Sequence, residues 1–274
     1  MLGGEGKNKK YPPISQNLLH CLILIQDINY TKYSTMKRIA FVTDIHFAED
    51  EVSGLGVNQE KNWSVILDDI THRGDIDEII FGGDIGSAAA HEMFFASLNT
   101  CGIKFKIIIG NHDRFEDVIK HIPTVSESDS ELYFSYDEAG YRYIFLDTST
   151  SSFSIEQNKW LMEKLSTDLP IIIFIHHPVL YVESIVDKLY SLKGRDELRT
   201  LLQSVNNNIT IFCGHLHNED KAIDGNITQY LTPSAAYQAL KNTKEIITDI
   251  NEFGYRIIEI DKEIKTEVIK FKLT

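Results

Sequence analysis

Ile39-Ala40-Phe41-Val42-Thr43-Asp44-Ile45-His46 is a short apolar run that ends in two residues able to bind a metal. The pattern recurs in four more segments: Ile79-Ile80-Phe81 leads to Asp84, Ile107-Ile108-Ile109 to Asn111 and His112, Ile171–Ile175 to His176, and Ile209–Cys213 to His215 and His217. Runs this short and rich in β-branched and aromatic residues are those of strands buried on both faces. Ligands bind in the crevice outside the carboxyl ends of such strands, so residues far apart in sequence can converge there.

Around these runs the chain alternates strand and helix signals from Met36 onward. Residues 58–71 carry helical apolar spacing at Trp63, Ile66, Leu67 and Ile70, and residues 88–98 form a second amphipathic stretch, which predicts βαβ units with right-handed crossovers. The rhythm then changes. Residues 132–136 and 141–147, joined through Asp137-Glu138-Ala139-Gly140, predict an antiparallel hairpin. A helix over 155–165 starts at Ser154 as N-cap, helices between 182 and 205 break at Gly194, and strands follow over 229–232, 255–260 and 264–273. Parallel units first and hairpins later predict an α/β fold, a four-layer αββα sandwich of two mixed β-sheets flanked by helices.

The sequence shows no internal repeat, and residues 36–274 are expected to form one catalytic domain. Residues 1–35 differ: Lys7, Lys9 and Lys10 precede an apolar stretch, 18–25, interrupted by His20. It lacks a small-residue cleavage site and is too short to span a bilayer, so a poorly ordered extension is expected, with Met36 able to serve as the natural start.

Composition narrows the function. With 27 Lys and Arg against 40 Asp and Glu, the formal charge of −13 argues against a long nucleic-acid partner, which needs phosphate neutralisation. Cys21, Cys101 and Cys213 are few and odd in number, and predict a reducing, cytoplasmic setting without a disulfide framework.

On an extended continuation of a strand, residues i and i+2 point the same way, so Asp44 with His46, and His215 with His217, are expected to grip an ion in pairs. Gly83, Gly110 and Gly214 each precede a ligand position, where a crowded cluster needs close backbone approach. Carboxylate, amide oxygen and imidazole without thiolate suit Mn, Fe, Zn, Ni or Co, and disfavour a closed structural zinc site.

Taken in order, Asp44-Ile45-His46, Gly83-Asp84, Gly110-Asn111-His112-Asp113, His176 and Gly214-His215-Leu216-His217 resemble the calcineurin-like metallophosphoesterase superfamily, whose blocks are D-x-H, G-D, G-N-H-[DE], H and G-H-x-H. The resemblance implies two divalent ions: Asp44, His46, Asp84 and His217 on one, Asp84, Asn111, His176 and His215 on the other, with Asp84 bridging. It implies hydrolysis of a small phosphoester by hydroxide held between the ions. His112 would protonate the leaving oxygen, with Asp113 orienting it. Asn111, His112, His177 and Arg114 are candidate substrate contacts; His177 could equally brace the loop before Pro178, and an exposed arginine starting a helix is the commoner case for Arg114. Tyr181 and Tyr237 are expected to pack on the rim, and Glu49-Asp50-Glu51 to be a solvated loop.

Within the superfamily the pattern is most similar to bacterial class III cyclic-nucleotide and glycerophosphodiester phosphodiesterases. Protein Ser/Thr phosphatases carry G-D-x-V-D-R-G where this chain has Gly83-Asp84-Ile85-Gly86-Ser87, without the phosphate-binding arginine. A second alternative is a non-catalytic scaffold on the same fold. Such proteins typically lose a ligand or the catalytic histidine, and here every block is filled.

Overall fold

Successive residues of a strand face opposite ways, and in this chain both directions meet apolar partners. The computed structural model describes residues 36–122 and 126–272, so the expectations for residues 1–35 and for the end of the last strand lie outside it. On one face of the first strand Ala40 and Val42 pack among Trp63, Ile66 and Phe94 of the helices. On the other face Ile39 and Phe41 meet Phe145, Ile172 and Phe174 of a second sheet. That division explains why the runs are unbroken rather than alternating. It is also what makes four layers.

In chain order the elements are β1 (Lys37–Val42), α1 (Asp50–Gly54), α2 (Gln59–Arg73), β2 (Glu78–Gly82), α3 (His91–Thr100), β3 (Lys104–Ile108), α4 (Phe115–Val118), β4 (Phe134–Glu138), β5 (Tyr141–Leu146), α5 (Ile155–Lys164), β6 (Ile171–Ile175), α6 (Ile185–Leu189), α7 (Arg195–Gln203), β7 (Ile209–Cys213), β8 (Asp220–Asp224), β9 (Ile227–Leu231), β10 (Gln238–Ala239), β11 (Thr248–Asp249), β12 (Glu252–Ile260) and β13 (Ile264–Lys272). One sheet runs β13-β12-β1-β2-β3, the other β4-β5-β6-β7-β9-β8. Both are mixed: β1, β2 and β3 are parallel with β12 antiparallel to β1, while β5, β6, β7 and β9 are parallel with antiparallel strands at both edges. The outer face of the second sheet carries Leu161 of α5 and Leu198 and Leu202 of α7. Between the sheets the rings of Phe41, Phe145 and Phe212 surround Phe174 at centroid distances of 5.5, 5.1 and 5.6 Å.

Local signals acted as expected where they were strong. The Asn58 side chain accepts from the Lys61 N–H to open α2, and Ser154 Oγ accepts from the Gln157 N–H to open α5. The hairpin turn tightens to Ala139-Gly140, both with positive φ, so β4 and β5 extend closer together than the four-residue connection implied. Four elements carried no usable period: α1, only five residues long; β8, an edge strand of mixed polarity; and the paired two-residue strands β10 and β11.

Candidate metal centre

The loops after β1 and β2 continue to pair beyond the strands. Asp44 N donates to Gly83 O at 3.0 Å, His46 N to Asp84 O at 3.1 Å, and Phe47 N to Ile85 O at 2.8 Å. The second sheet joins them through Ala235 N to Thr43 O at 2.9 Å and His215 N to the Asp44 carboxylate at 3.1 Å. With His112 N to Asp84 Oδ1 at 2.9 Å and Gly214 N to His176 O at 3.0 Å, these bonds bring the five strand endings to one place.

Extended geometry is not what aims the ligands. Asp44, His46, Asp84, His215 and His217 all take left-handed backbone, φ between 49 and 67°. Side chains rarely accept that conformation, and its clustering at one site marks strain held by the surrounding fold. Asp44 with His46 and His215 with His217 therefore converge through tight turns, which corrects the expectation of a strand continuation. Of the preceding glycines, Gly83 needs its φ of 94°, whereas Gly110 needs room: a Cβ there would lie 2.7 Å from both the Asp84 amide nitrogen and His176 Cε1.

Two triads result. Asp44, His46 and His217 offer ligand atoms within 4.8 Å of one another, as do Asp84, His176 and His215. Asp84 lies against both, its Oδ2 3.2 Å from His176 Nε2 and 3.7 Å from His46 Nε2. Three of the four imidazoles have one nitrogen held from outside. His176 Nδ1 donates to Gly82 O at 2.8 Å, His215 Nε2 meets Tyr190 O at 2.9 Å, and His46 Nδ1 meets Glu49 Oε2 at 3.0 Å. Outer partners of this kind fix which nitrogen faces a metal. The buried atoms His217 Nδ1 and Asn111 Oδ1 have no hydrogen-bond partner among the described residues, and His46 Nε2 faces His217 Nε2 at 3.0 Å. Acceptors turned toward acceptors, with carboxylates beside them, fit a cation.

The electrostatics agree. Burial pushes the Asp44 carboxyl upward, but His217 and His176 bring it down to about 2. Burial alone would lower His176; Asp84, Asp44 and the Gly82 carbonyl raise it to about 10. Burial and the nearby His176 take His215 down to about 4.

A cavity of about 690 Å³ opens over the site, lined by His46, Asp84, Asn111, His112 and His217 together with Tyr237. Tyr237 packs on His217 with ring centroids 4.5 Å apart, the rim position expected for it. A larger cavity of about 850 Å³, lined by residues of β3 and β4, contains no such ligand group.

The role expected of Asp113 is corrected, and the geometry favours the non-contact readings left open for His177 and Arg114. Both oxygens of Asp113 are consumed by four backbone N–H groups, of Asp84, Ile85, Gly86 and Gly110, at 2.8 to 3.4 Å. Burial and Asp84 push its carboxyl up to about 7, yet donors alone surround it, which leaves no acceptor for a proton and marks the ionised form. Asp113 braces loops; the carboxylate that meets His112 is Glu49, whose Oε1 lies 3.0 Å from His112 Nδ1. His177 is fully buried behind the site, its Nδ1 2.9 Å from Thr148 Oγ1, and is absent from the cavity wall. Arg114 is 76% exposed beside Glu116 and Asp117, and likewise does not line the cavity. Glu49 was missed because three adjacent acidic residues resemble a solvated loop; its spacing of three from His46, at the start of α1, was the available signal.

Residues 37–219 match the family model of calcineurin-like phosphoesterases. The chain belongs to the calcineurin-like phosphoesterase family. It is thus a hydrolase of phosphoric ester bonds in a family that uses divalent metal ions. This phosphoesterase is 28% identical over 248 residues to the 3′,5′-cyclic adenosine monophosphate phosphodiesterase CpdA of Escherichia coli K12, covering 84% of this chain and 88% of that protein. It is 26% identical over 244 residues to a protein of Fibrobacter succinogenes named "probable cyclic nucleotide phosphodiesterase", covering 86% and 94% of the two chains. The purple acid phosphatase PPD1 of yellow lupin shares the fold, with a TM-score of 0.65 at 18% identity over 87% of this chain and 52% of that one. No helix among the described residues is long and apolar enough to cross a membrane.

Proposed function

We propose that this phosphoesterase is a dinuclear-metal hydrolase of a small phosphodiester, with a cyclic nucleotide as the first substrate to test. One observation carries it: Asp84 touches both ligand triads at the floor of a cavity whose wall presents the half-exposed His112. Asp44, His46, Asp84 and His217 would hold one ion, and Asp84, Asn111, His176 and His215 the other. Divalent ions bound there would lower the pKa of water and offset the charge that builds on the phosphoryl oxygens.

The residues supply the rest. His112, raised to about 9 by its hydrogen bond to Glu49, is protonated at neutral pH. As water adds to phosphorus, giving up a proton to solvent, and the bond to the leaving oxygen breaks, His112 passes its Nε2 proton to that oxygen and is reprotonated from solvent, giving an alcohol and a phosphomonoester. Tyr237 and the chain around Tyr190 shape the space for the organic group. The relatives named as cyclic nucleotide phosphodiesterases favour that substrate class. The free thiols Cys101 and Cys213 are consistent with a cytoplasmic setting.

Protein loaded with Mn²⁺ is expected to hydrolyse bis(p-nitrophenyl) phosphate and 3′,5′-cyclic AMP, to lose activity with a chelator and to regain it when Mn²⁺ is returned. A metal-loaded but inert protein would favour the scaffold instead.

A second expectation follows from charge. His176 holds its proton up to about pH 10, and a metal needs the neutral ring, so cation and proton compete. Mn²⁺ affinity should rise with pH toward that value, and binding near pH 8 should release protons, read by calorimetry in buffers of different ionisation enthalpy. Uptake without proton release would count against these ligands.

A further inference from the structure

We propose that Glu49 is the positioning residue of the acid, one carboxylate that fixes both His112 and the metal-facing His46; the proposal rests on His112 acting as the proton donor. Its Oε1 lies 3.0 Å from His112 Nδ1 and its Oε2 3.0 Å from His46 Nδ1. The two rings stand perpendicular with centroids 4.7 Å apart, and the Glu49 side chain is 17% exposed. An ionised carboxylate accepts at both oxygens, so each ring gives its Nδ1–H to Glu49. The consequence is a fixed tautomer for both. His46 is left with Nε2 toward Asp84 and His217, and His112 with Nε2 as the nitrogen open to substrate.

The backbone delivers Glu49 to this position. His46 and Ala48 are left-handed, with φ of 54 and 53°, which folds the loop back so that Glu49 opens α1 beneath both rings. Asp113, the sequence neighbour of His112, has no oxygen left for this task.

Glu49→Gln separates this role from a packing role. The amide keeps the shape but only one accepting atom, so it cannot serve both rings. A series of phosphodiesters with leaving groups from p-nitrophenol to simple alcohols would be assayed at saturating Mn²⁺, with rates expressed per bound metal. For alkyl leaving groups, which need a proton, kcat is expected to fall about 10²-fold with KM little changed. For p-nitrophenyl esters the fall should be much smaller. In the His112→Ala background, Glu49→Gln should cause no further loss on alkyl esters beyond its loss on p-nitrophenyl esters, since the proton-donor effect of both changes runs through His112 while any effect through His46 falls on all esters alike. The ¹⁵N–¹H signal of His112 Nδ1 should be protected in the wild type and shifted or lost in Glu49→Gln.

Equal loss across all leaving groups, additive loss of the leaving-group dependence in the double variant, or an unchanged His112 signal would overturn the proposal. If His112→Ala shows the leaving-group dependence and Glu49→Gln does not, the assignment of Glu49 fails while the function stands. A wild type inert toward the whole series would remove both.

Discussion

Asp84→Asn is expected to lower kcat/KM for bis(p-nitrophenyl) phosphate by about 10³-fold or more, because several kcal/mol of charge stabilisation is worth that factor in rate. Asp84 is 1% exposed, and its Oδ2 faces His176 and His46 while Oδ1 accepts the His112 N–H at 2.9 Å. Asparagine matches its shape and retains the acceptor for His112, so the loop should hold. It removes the charge and turns an NH₂ group toward His176. Metal content, measured by elemental analysis after gel filtration, should fall with activity while the circular dichroism spectrum stays unchanged. An Asp84→Asn protein with wild-type rate and metal would remove the bridging role.

Asp113→Ala is expected to act on stability first. Four backbone N–H groups would lose their acceptor, and a buried donor left unpaired costs about 1 to 3 kcal/mol. Even with water filling part of the gap, the loss in urea unfolding should reach about 4 kcal/mol on that basis. Because the donors belong to the loops bearing Asp84 and Asn111, metal affinity should drop as well. Asp113→Asn, which keeps one accepting oxygen, should fall between the two. A variant of normal stability that had lost only its alkyl-ester activity would return Asp113 to the task of orienting His112.

These expectations show how unevenly the site could be read from the chain. The ligand-bearing endings stood out because unbroken apolar runs, spaced by helical segments, place themselves as strands buried on both faces, and metal-capable residues directly after them are a local pattern. The role of Asp113 was less accessible. A carboxylate beside a histidine suggests a pair, but which way it turns depends on the N–H groups of a loop about 27 residues away. His177 and Arg114 were equally ambiguous, since burial behind His215 and exposure beyond the cavity are properties of packing. Glu49 lay hidden in a run of three acids that differ only in what the fold sets beside them.

By itself, then, the sequence determined the layering, the donor types and their order along the chain, because hydrophobic period and side-chain chemistry are local. Only the tertiary structure decided which nitrogen of each imidazole faces inward and which carboxylate serves His112. Those depend on left-handed turns at Asp44, His46, Asp84, His215 and His217 and on hydrogen bonds between separate sheets. Such contacts join residues up to 192 positions apart, as in Ala235 N to Thr43 O, beyond the reach of any local pattern.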